Sequence, residues 1–164
     1  MSSELVEEVD EEGRPLRVVT RAAMRAGRLR HRCVYLLVVH DGRLLVHERS
    51  DDKDVFPGWW DVAAGGVVGA GEAWNDAARR ELAEELGVEA PLEDLGQVAY
   101  EDERCAVVGR VYAVAHAGPF TFADGEVVEA RWASRQEVDD LLATERVCTD
   151  SAAVALPLVL DRLR

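Results

Sequence analysis

Lysine is almost missing from this chain of 164 residues. Lys53 is the only one, and the 19 lysines and arginines together are outnumbered by 32 aspartates and glutamates. The formal net charge of −13 would repel nucleic acid and anionic membrane surfaces. An anionic ligand must therefore be held locally, by a few cations or by a metal ion. We expect a small-molecule partner, and neither nucleic acid nor a membrane.

Cysteine is also scarce, and long hydrophobic runs are absent. Cys33, Cys105 and Cys148 are odd in number and far apart, which argues against a disulfide framework or a zinc site and predicts buried apolar side chains. No run approaches the roughly 20 apolar residues of a membrane-spanning helix. The acidic start, MSSELVEEVDEE, lacks the basic and then apolar pattern of a signal peptide. These observations predict a cytoplasmic protein.

The apolar content of 48% is sufficient for one globular domain with a substantial core. Runs of alternating or continuous apolar residues, separated by turn residues, predict a mixed order of strands and helices. The fold class expected is α/β (α+β), with a mixed sheet and helices on both faces. The predicted strands are 4–10, 15–20, 32–40, 43–49, 62–68, 95–103, 105–116 and 127–134. The predicted helices are 21–27, 73–86, 134–144 and 150–163.

The segment 63–88, AAGGVVGAGEAWNDAARRELAEELGV, combines a glycine-rich loop with an acidic helix that ends at a glycine. At about 100° per residue, the apolar positions on this helix form one stripe toward the core. Glu81, Glu84 and Glu85 form an arc beside that stripe. Three carboxylates so close together repel each other, which should raise at least one pKa. A divalent cation would remove the conflict.

Carboxylate oxygens favour hard ions, so Mg²⁺, or alternatively Mn²⁺, is expected in preference to zinc. Such ions usually share their coordination with substrate phosphates. The four glycines of the preceding loop allow its backbone amides and carbonyls to approach a ligand closely. An acidic, solvated helix face is the alternative that composition alone would favour.

Spacing removes that alternative, because the segment matches the Nudix signature G-x5-E-x7-R-E-U-x-E-E-x-G-U, where U is aliphatic. The matching residues are Gly66, Glu72, Arg80, Glu81, Leu82, Glu84, Glu85, Gly87 and Val88. The chain therefore resembles the Nudix hydrolases, which implies an αβα sandwich over 31–157. An N-terminal hairpin and short helix, 1–30, would pack on that domain, and 158–164 would end the last helix.

The resemblance implies the chemistry of the site. Glu81, Glu84, Glu85 and the carbonyl of Gly66 would hold Mg²⁺, and Glu81 is also a candidate general base. Family members cleave the diphosphate of NDP-X to give NMP and phosphoryl-X. A metal suits that reaction because it neutralises phosphate charge and acidifies an attacking water.

Further residues have implied supporting roles. Glu72 would support the glycine loop, and Arg80 would orient a carboxylate through a bidentate pair. Nudix enzymes often recruit another glutamate from a late loop, for which Glu126 and Glu129 are the candidates. The oligomeric state is left open, with a homodimer as one alternative.

A second resemblance, to the isopentenyl-diphosphate isomerase branch of the superfamily, covers the N-terminal half. Residues matching Arg49 and Lys53 contact the substrate diphosphate in that branch, so both are expected to bind phosphate here. The isomerase cysteine is replaced by Gly65, and only His31 remains of three metal histidines. The isomerase alternative is therefore disfavoured, and a nucleotide-binding module without turnover is the third hypothesis.

Structural roles, rather than roles in the chemistry, are expected for His31 and for the adjacent Trp59 and Trp60. Without its metal partners, His31 is expected to be a hydrogen-bonded structural residue. Of Trp59 and Trp60, one is expected in the core and the other at the rim of the site.

Overall fold

The computed structural model describes residues 4–122 and 125–164, which contain nine strands and three α-helices. The strands are β1 (Leu5–Val9), β2 (Pro15–Thr20), β3 (His31–His40), β4 (Arg43–Arg49), β5 (Trp60–Asp61), β6 (Ala64–Val67), β7 (Glu93–Glu101), β8 (Ala106–Ala115) and β9 (Val127–Ala133). The helices are α1 (Arg21–Gly27), α2 (Trp74–Leu86) and α3 (Arg135–Thr144). None of the helices in these two ranges is long and apolar enough to cross a membrane.

The central sheet is mixed and contains seven strands. Its main path runs β5-β4-β3-β8-β7, with β6 paired to β3 and β9 paired to β4. The β3–β8 pair is parallel, from His31 opposite Val107 to Val39 opposite Ala115, whereas the other pairs are antiparallel. β4 separates from β3 after the hairpin at Asp41 and Gly42, and β6 pairs with β3 instead along the 33–36 segment. This divergence opens the sheet where the glycine-rich segment enters it.

Alternation along β3 places apolar side chains in two cores, one on each face of the sheet. Cys33, Tyr35 and Leu37 belong to the cluster that contains α3 residues and the C-terminal segment. The intervening β3 residues belong to the cluster that contains the buried side of α2. The mixed α+β architecture with helices on both faces, predicted from the sequence, is thus confirmed.

α2 forms where the apolar stripe predicted it, with Ala78, Leu82 and Leu86 buried. The helix ends at Gly87, which has φ 68° and donates its N–H to the Ala83 carbonyl at 3.0 Å. A side chain at position 87 would be strained by that positive φ. The predicted boundaries agree with the observed ones to within one residue.

The N-terminal hairpin is a separate two-stranded sheet that contacts the main domain. The Leu5 carbonyl accepts a hydrogen bond from the Ala70 N–H at 2.9 Å, and Val6 pairs with Gly69. Arg32 bridges to Glu7 at 2.9 Å between two largely buried side chains. The hairpin is thereby fixed to the glycine-rich loop that precedes α2. Met1, Ser2 and Ser3 of the predicted 1–30 unit lie outside the described residues.

The continuous C-terminal helix predicted over 150–163 is wrong. The structure has a π-helical turn at Ser151–Ala155, followed by 3₁₀ turns at Leu156–Leu158 and Leu160–Arg162. Pro157 explains the interruption, because it has no N–H to donate and its ring crowds the preceding turn. The segment nevertheless buries Ala155, Leu156 and Val159 in the core.

Candidate active site

A cavity of about 320 Å³ lies between α2, β3, the β6 segment and the loop after β4. It brings together most of the site residues predicted from the sequence. These are Arg49, Lys53, Gly66, Arg80, Glu81, Glu84, Glu85 and Glu126. Glu72 lies behind Arg80, outside the lining of this cavity. Acids and bases that are distant in the sequence thus surround one small volume.

Arg80 organises the acidic side of the cavity. Its Nε and Nη2 donate to the two carboxylate oxygens of Glu72 at 2.8 and 2.9 Å, which is the bidentate pair that the resemblance implied. Its Nη1 donates to Glu81 at 2.7 Å and to Glu84 at 3.3 Å. Glu72 in turn accepts the Gly69 N–H at 2.9 Å. One guanidinium therefore links the glycine loop to two helix carboxylates.

Gly66 leaves room for the carboxylate of Glu81. A Cβ built at position 66 would lie 2.5 Å from Oε1 and 2.6 Å from Cδ of Glu81. The Glu81 carboxyl group is almost fully buried against this backbone. The glycine in the signature therefore makes space for the acid that follows it by 15 positions.

Two of the helix carboxyl groups have raised pKa values, as the sequence predicted. Burial raises the pKa of Glu81, although the hydrogen bond from Arg80 opposes this. Burial raises the pKa of Glu85 to about 7, with Lys53 opposing and Glu81 adding to the effect. The expected cause needs correction: loss of solvation is the largest contribution, and repulsion between carboxylates is a smaller one.

The donor chemistry of this cluster fits a hard divalent cation. Glu81, Glu84 and Glu85 supply only oxygens, all three line the same cavity, and burial disfavours the charge on two of them. Within residues 4–122 and 125–164, no three His, Cys, Asp or Glu side chains are gathered closely enough to hold a metal ion. Arg80 holds Glu81 and Glu84 in the observed arrangement, so its cation supplies the compensating charge there.

The two residues predicted to bind phosphate are both at the cavity, but they have protein partners. Lys53 Nζ contacts Glu126 Oε2 at 2.5 Å. Arg49 donates to the Val55 carbonyl at 2.8 and 3.2 Å and lies 3.8 Å from Asp61. Of the two late glutamates, Glu126 lines the cavity, whereas Glu129 lies on β9, with its side chain half exposed near Arg131.

Gly65 discriminates between hydrolase and isomerase chemistry. Its φ is 142°, and a Cβ at this position would overlap the carbonyl oxygen of Val34 on the paired strand β3. A cysteine at position 65 would require the backbone of β3 or β6 to move. The strand geometry, in addition to the residue type, therefore argues against the isomerase alternative.

The wall of the cavity opposite α2 was not predicted from the sequence. Asp150 accepts a hydrogen bond from the Tyr35 hydroxyl at 2.8 Å, and Asp61 accepts one from the Ser151 hydroxyl at 2.6 Å. Burial raises the pKa of both aspartates. All three cysteines are free and buried, as predicted, and all three line this wall. Arg21 and Arg25 of α1 also line the cavity.

His31 and Trp60 lie where their structural predictions placed them, whereas Trp59 is not among the residues that line the cavity. His31 is 3% exposed, and its Nδ1 is 2.9 Å from the Leu29 carbonyl. Trp60 is buried in the core, whereas Trp59 is partly buried against Phe56, with Arg104 5.0 Å from its ring. Burial lowers the pKa of His31 from 6.5 to about 4, with the charges of Arg25 and Arg21 acting in the same direction.

This neutral imidazole predicts a pH-dependent contribution to stability. Below its ordinary pKa of 6.5 the histidine binds a proton in the unfolded chain but not in the folded one, so acid favours unfolding. Relative to His31→Gln, the wild-type protein should lose about 1.4 kcal/mol of unfolding free energy per pH unit between 6.5 and about 4. Urea denaturation of both proteins at pH 7, 6 and 5 measures this difference. A constant difference would show that the pKa of His31 is the same in the folded and unfolded chains, and would contradict the prediction.

Comparisons with known proteins agree with this geometry. A model of the NUDIX domain family matches residues 29–151. The chain therefore belongs to the Nudix family, and it is a hydrolase acting on pyrophosphate bonds. It is 42% identical over 140 residues to the Nudix hydrolase YfcD of Escherichia coli (strain K12), covering 84% of this chain and 77% of that protein.

Solved structures show the same fold. The crystal structure of DR0079 from Deinococcus radiodurans has a TM-score of 0.79 at 24% identity, and the match covers 98% of this chain and 99% of that one. The NUDIX domain of NrtR from Shewanella oneidensis, solved with ADP ribose, has a TM-score of 0.60 at 22% identity, with 88% and 99% covered. Since both identities are below 25%, these structures indicate fold and not substrate.

Proposed function

We propose that this chain is a Mg²⁺-dependent pyrophosphohydrolase that cleaves an NDP-X substrate to NMP and phosphoryl-X. The observation that carries the proposal is the shared cavity. The carboxylates of Glu81, Glu84 and Glu85 line it together with the cations of Arg49 and Lys53. A diphosphate needs both kinds of group, since its oxygens bind metal and basic side chains at the same time.

The carboxylates of Glu81, Glu84 and Glu85, with the carbonyl of Gly66, would hold the ion. When bound, Mg²⁺ neutralises the negative charge of the phosphates and lowers the pKa of a water bound to it. Arg80 would keep Glu81 in position and, through Glu72, the glycine loop as well. Glu81 is the candidate proton acceptor.

Arg49 and Lys53 would bind the diphosphate from the loop side. Their existing partners do not prevent this, because a phosphate group can replace the Glu126 carboxylate at Lys53. Glu126 would then be released into the same cavity, where the family commonly uses a late-loop glutamate. The cavity volume of about 320 Å³ is suited to a small molecule. ADP-ribose, bound by the NrtR domain, is one compound of the NDP-X type.

A substrate panel tests the proposal. Nucleoside diphosphate sugars, dinucleotides, capped nucleotides and isopentenyl diphosphate would be incubated with Mg²⁺ or Mn²⁺, with Glu85→Gln protein as the blank. Metal-dependent release of NMP from at least one compound is the expected result. Nucleotide binding without release would favour a non-catalytic binding module. Formation of dimethylallyl diphosphate would favour an isomerase, and either outcome would overturn the proposal.

A further inference from the structure

A second pair of basic residues lines the cavity from outside the segment that matches the family. Arg21 and Arg25 lie on α1, before the matched span 29–151. Arg25 Nε is 3.2 Å and Arg21 Nη2 is 3.6 Å from the same carboxylate oxygen of Asp54. Arg21 also contacts Glu4 at 3.1 Å. With Arg49, Lys53 and Arg80, these two arginines make five cations on a cavity lining that also carries eight carboxyl groups.

The two basic pairs have different partners in the structure. Lys53 pairs with Glu126, and Arg49 donates to the Val55 carbonyl and lies 3.8 Å from Asp61. Arg21 and Arg25 instead share Asp54. The charge of Arg21 acts on Glu81, and Arg25 and Arg21 both act on His31. The proposed function assigns Lys53 and Arg49 to the diphosphate that is cleaved. The second pair is therefore available to an anionic group elsewhere on the ligand.

We propose that Arg21 and Arg25 form an additional phosphate subsite, which selects substrates that carry a phosphate group beyond the diphosphate that is cleaved. This inference rests on the proposed function, because it assigns the cleaved diphosphate to Arg49 and Lys53. The additional phosphate could be the third phosphate of a nucleoside triphosphate or a phosphate monoester on the nucleoside or on X. The shared chemistry is a phosphate dianion that two guanidinium groups can bind together.

Asp54 occupies this subsite in the structure and can be displaced. Its side chain is 48% exposed, and its ion pairs with Arg21 and Arg25 are single contacts rather than bidentate ones. Exposed ion pairs of this kind contribute little free energy. A phosphate dianion brings more charge and more acceptor oxygens than one carboxylate, so it should replace Asp54. Removing the Asp54 charge should strengthen phosphate binding.

The test measures ligand binding to a variant of the protein that does not hydrolyse the ligand. Calorimetry with Mg²⁺ would compare matched ligands on Glu85→Gln protein: the di- and triphosphates of four nucleosides, and dephospho-coenzyme A with coenzyme A. For at least one nucleoside or for coenzyme A, the ligand with the additional phosphate should bind about tenfold more tightly. Adding Arg21→Gln and Arg25→Gln should abolish that preference and leave the affinity for the shorter ligand nearly unchanged.

Two further variants control this result. Arg17→Gln removes one positive charge from β2, where Arg17 pairs with Glu8 away from the cavity, and it should keep the preference. Asp54→Asn should increase the preference, a gain that a poorly folded protein would not give. The inference would be overturned if both ligands of every pair bound with equal affinity. It would also be overturned if the Arg21→Gln and Arg25→Gln substitutions together weakened the binding of both ligands of a pair equally. Absence of NMP release by the wild-type protein would refute the proposed function and leave this binding comparison readable.

Discussion

Glu84→Gln and Glu85→Gln are each expected to reduce turnover at least about a hundredfold on the substrate that the panel identifies. Even residues that only orient metal ligands cost about 10–100-fold when they are changed, and these two carboxylates are proposed as ligands themselves. Gln keeps the size and one carbonyl oxygen of Glu but loses the charge that holds a divalent cation. Steady-state kinetics with Mg²⁺ titrated up to saturation would measure both kcat and the metal requirement.

The Glu85→Gln substitution should lower activity without lowering thermal stability. Because burial raises the pKa of Glu85 to about 7, its ionised form is unfavourable in the metal-free fold at alkaline pH. Metal-free Glu85→Gln protein should therefore melt at the same temperature as the wild type, or higher, at pH 8. Glu89→Gln is the matched control, since Glu89 is exposed beyond the end of α2 and outside the cavity. Full activity in both the Glu84 and Glu85 variants would contradict the assignment.

Arg80→Lys is expected to lower both activity and metal affinity by about 10–100-fold. Lysine retains the positive charge but cannot donate in parallel to both oxygens of Glu72 while it also holds Glu81. The glycine loop, which is bound to Glu72 through Gly69, would lose its connection to α2. The fall in activity should exceed the effect of Arg79→Gln, which removes a neighbouring exposed charge from the same helix.

A double-mutant cycle separates the Arg80–Glu72 pair from the rest of the site. Arg80→Gln alone leaves the partly buried Glu72 without its partner, whereas the double variant with Glu72→Gln removes both charges. The two effects on unfolding free energy should therefore be less than additive, with a coupling of about 0.5–3 kcal/mol. Urea denaturation of the four proteins supplies the numbers. Additive effects would mean that the bidentate pair does not stabilise the fold.

The parts of the site that were predictable from sequence are local in the chain. Glu81, Glu84 and Glu85 share a helix arc because of the 3.6-residue period, and Gly66 and Arg80 are fixed to them by spacing in a known signature. The end of α2 at Gly87 likewise depends on a few neighbouring residues. Such features need no knowledge of how distant segments meet.

The remainder depended on contacts between distant segments. Asp150 meets Tyr35 across 115 positions, and Lys53 meets Glu126 across 73. No periodicity or spacing in the sequence connects these pairs. Arg25 could likewise not be predicted as a cavity residue, because its helix lies before the span 29–151 that matches the family and is positioned by the hairpin. The residues of the wall opposite α2 therefore could not be predicted from the sequence.

The prediction of one continuous helix over 150–163 was wrong because it followed the apolar content of the segment and not Pro157. The segment 150–163 is apolar enough for a buried helix, and Ala155 and Val159 are buried in the structure. Pro157 decided the backbone conformation because one missing donor interrupts the regular pattern of hydrogen bonds. Burial can therefore be predicted for such a segment even where its helix type cannot.

The hydrogen bond between the Leu5 carbonyl and the Ala70 N–H has a consequence for how this enzyme could diversify. The loop that follows β6, the strand of Gly66, is connected on one side to the signature helix through Glu72 and on the other side to the N-terminal hairpin. Substitutions in the hairpin can thus shift the loop without altering any signature residue. The segment before the family domain offers a route by which related proteins could acquire different substrate preferences while keeping the same hydrolytic chemistry.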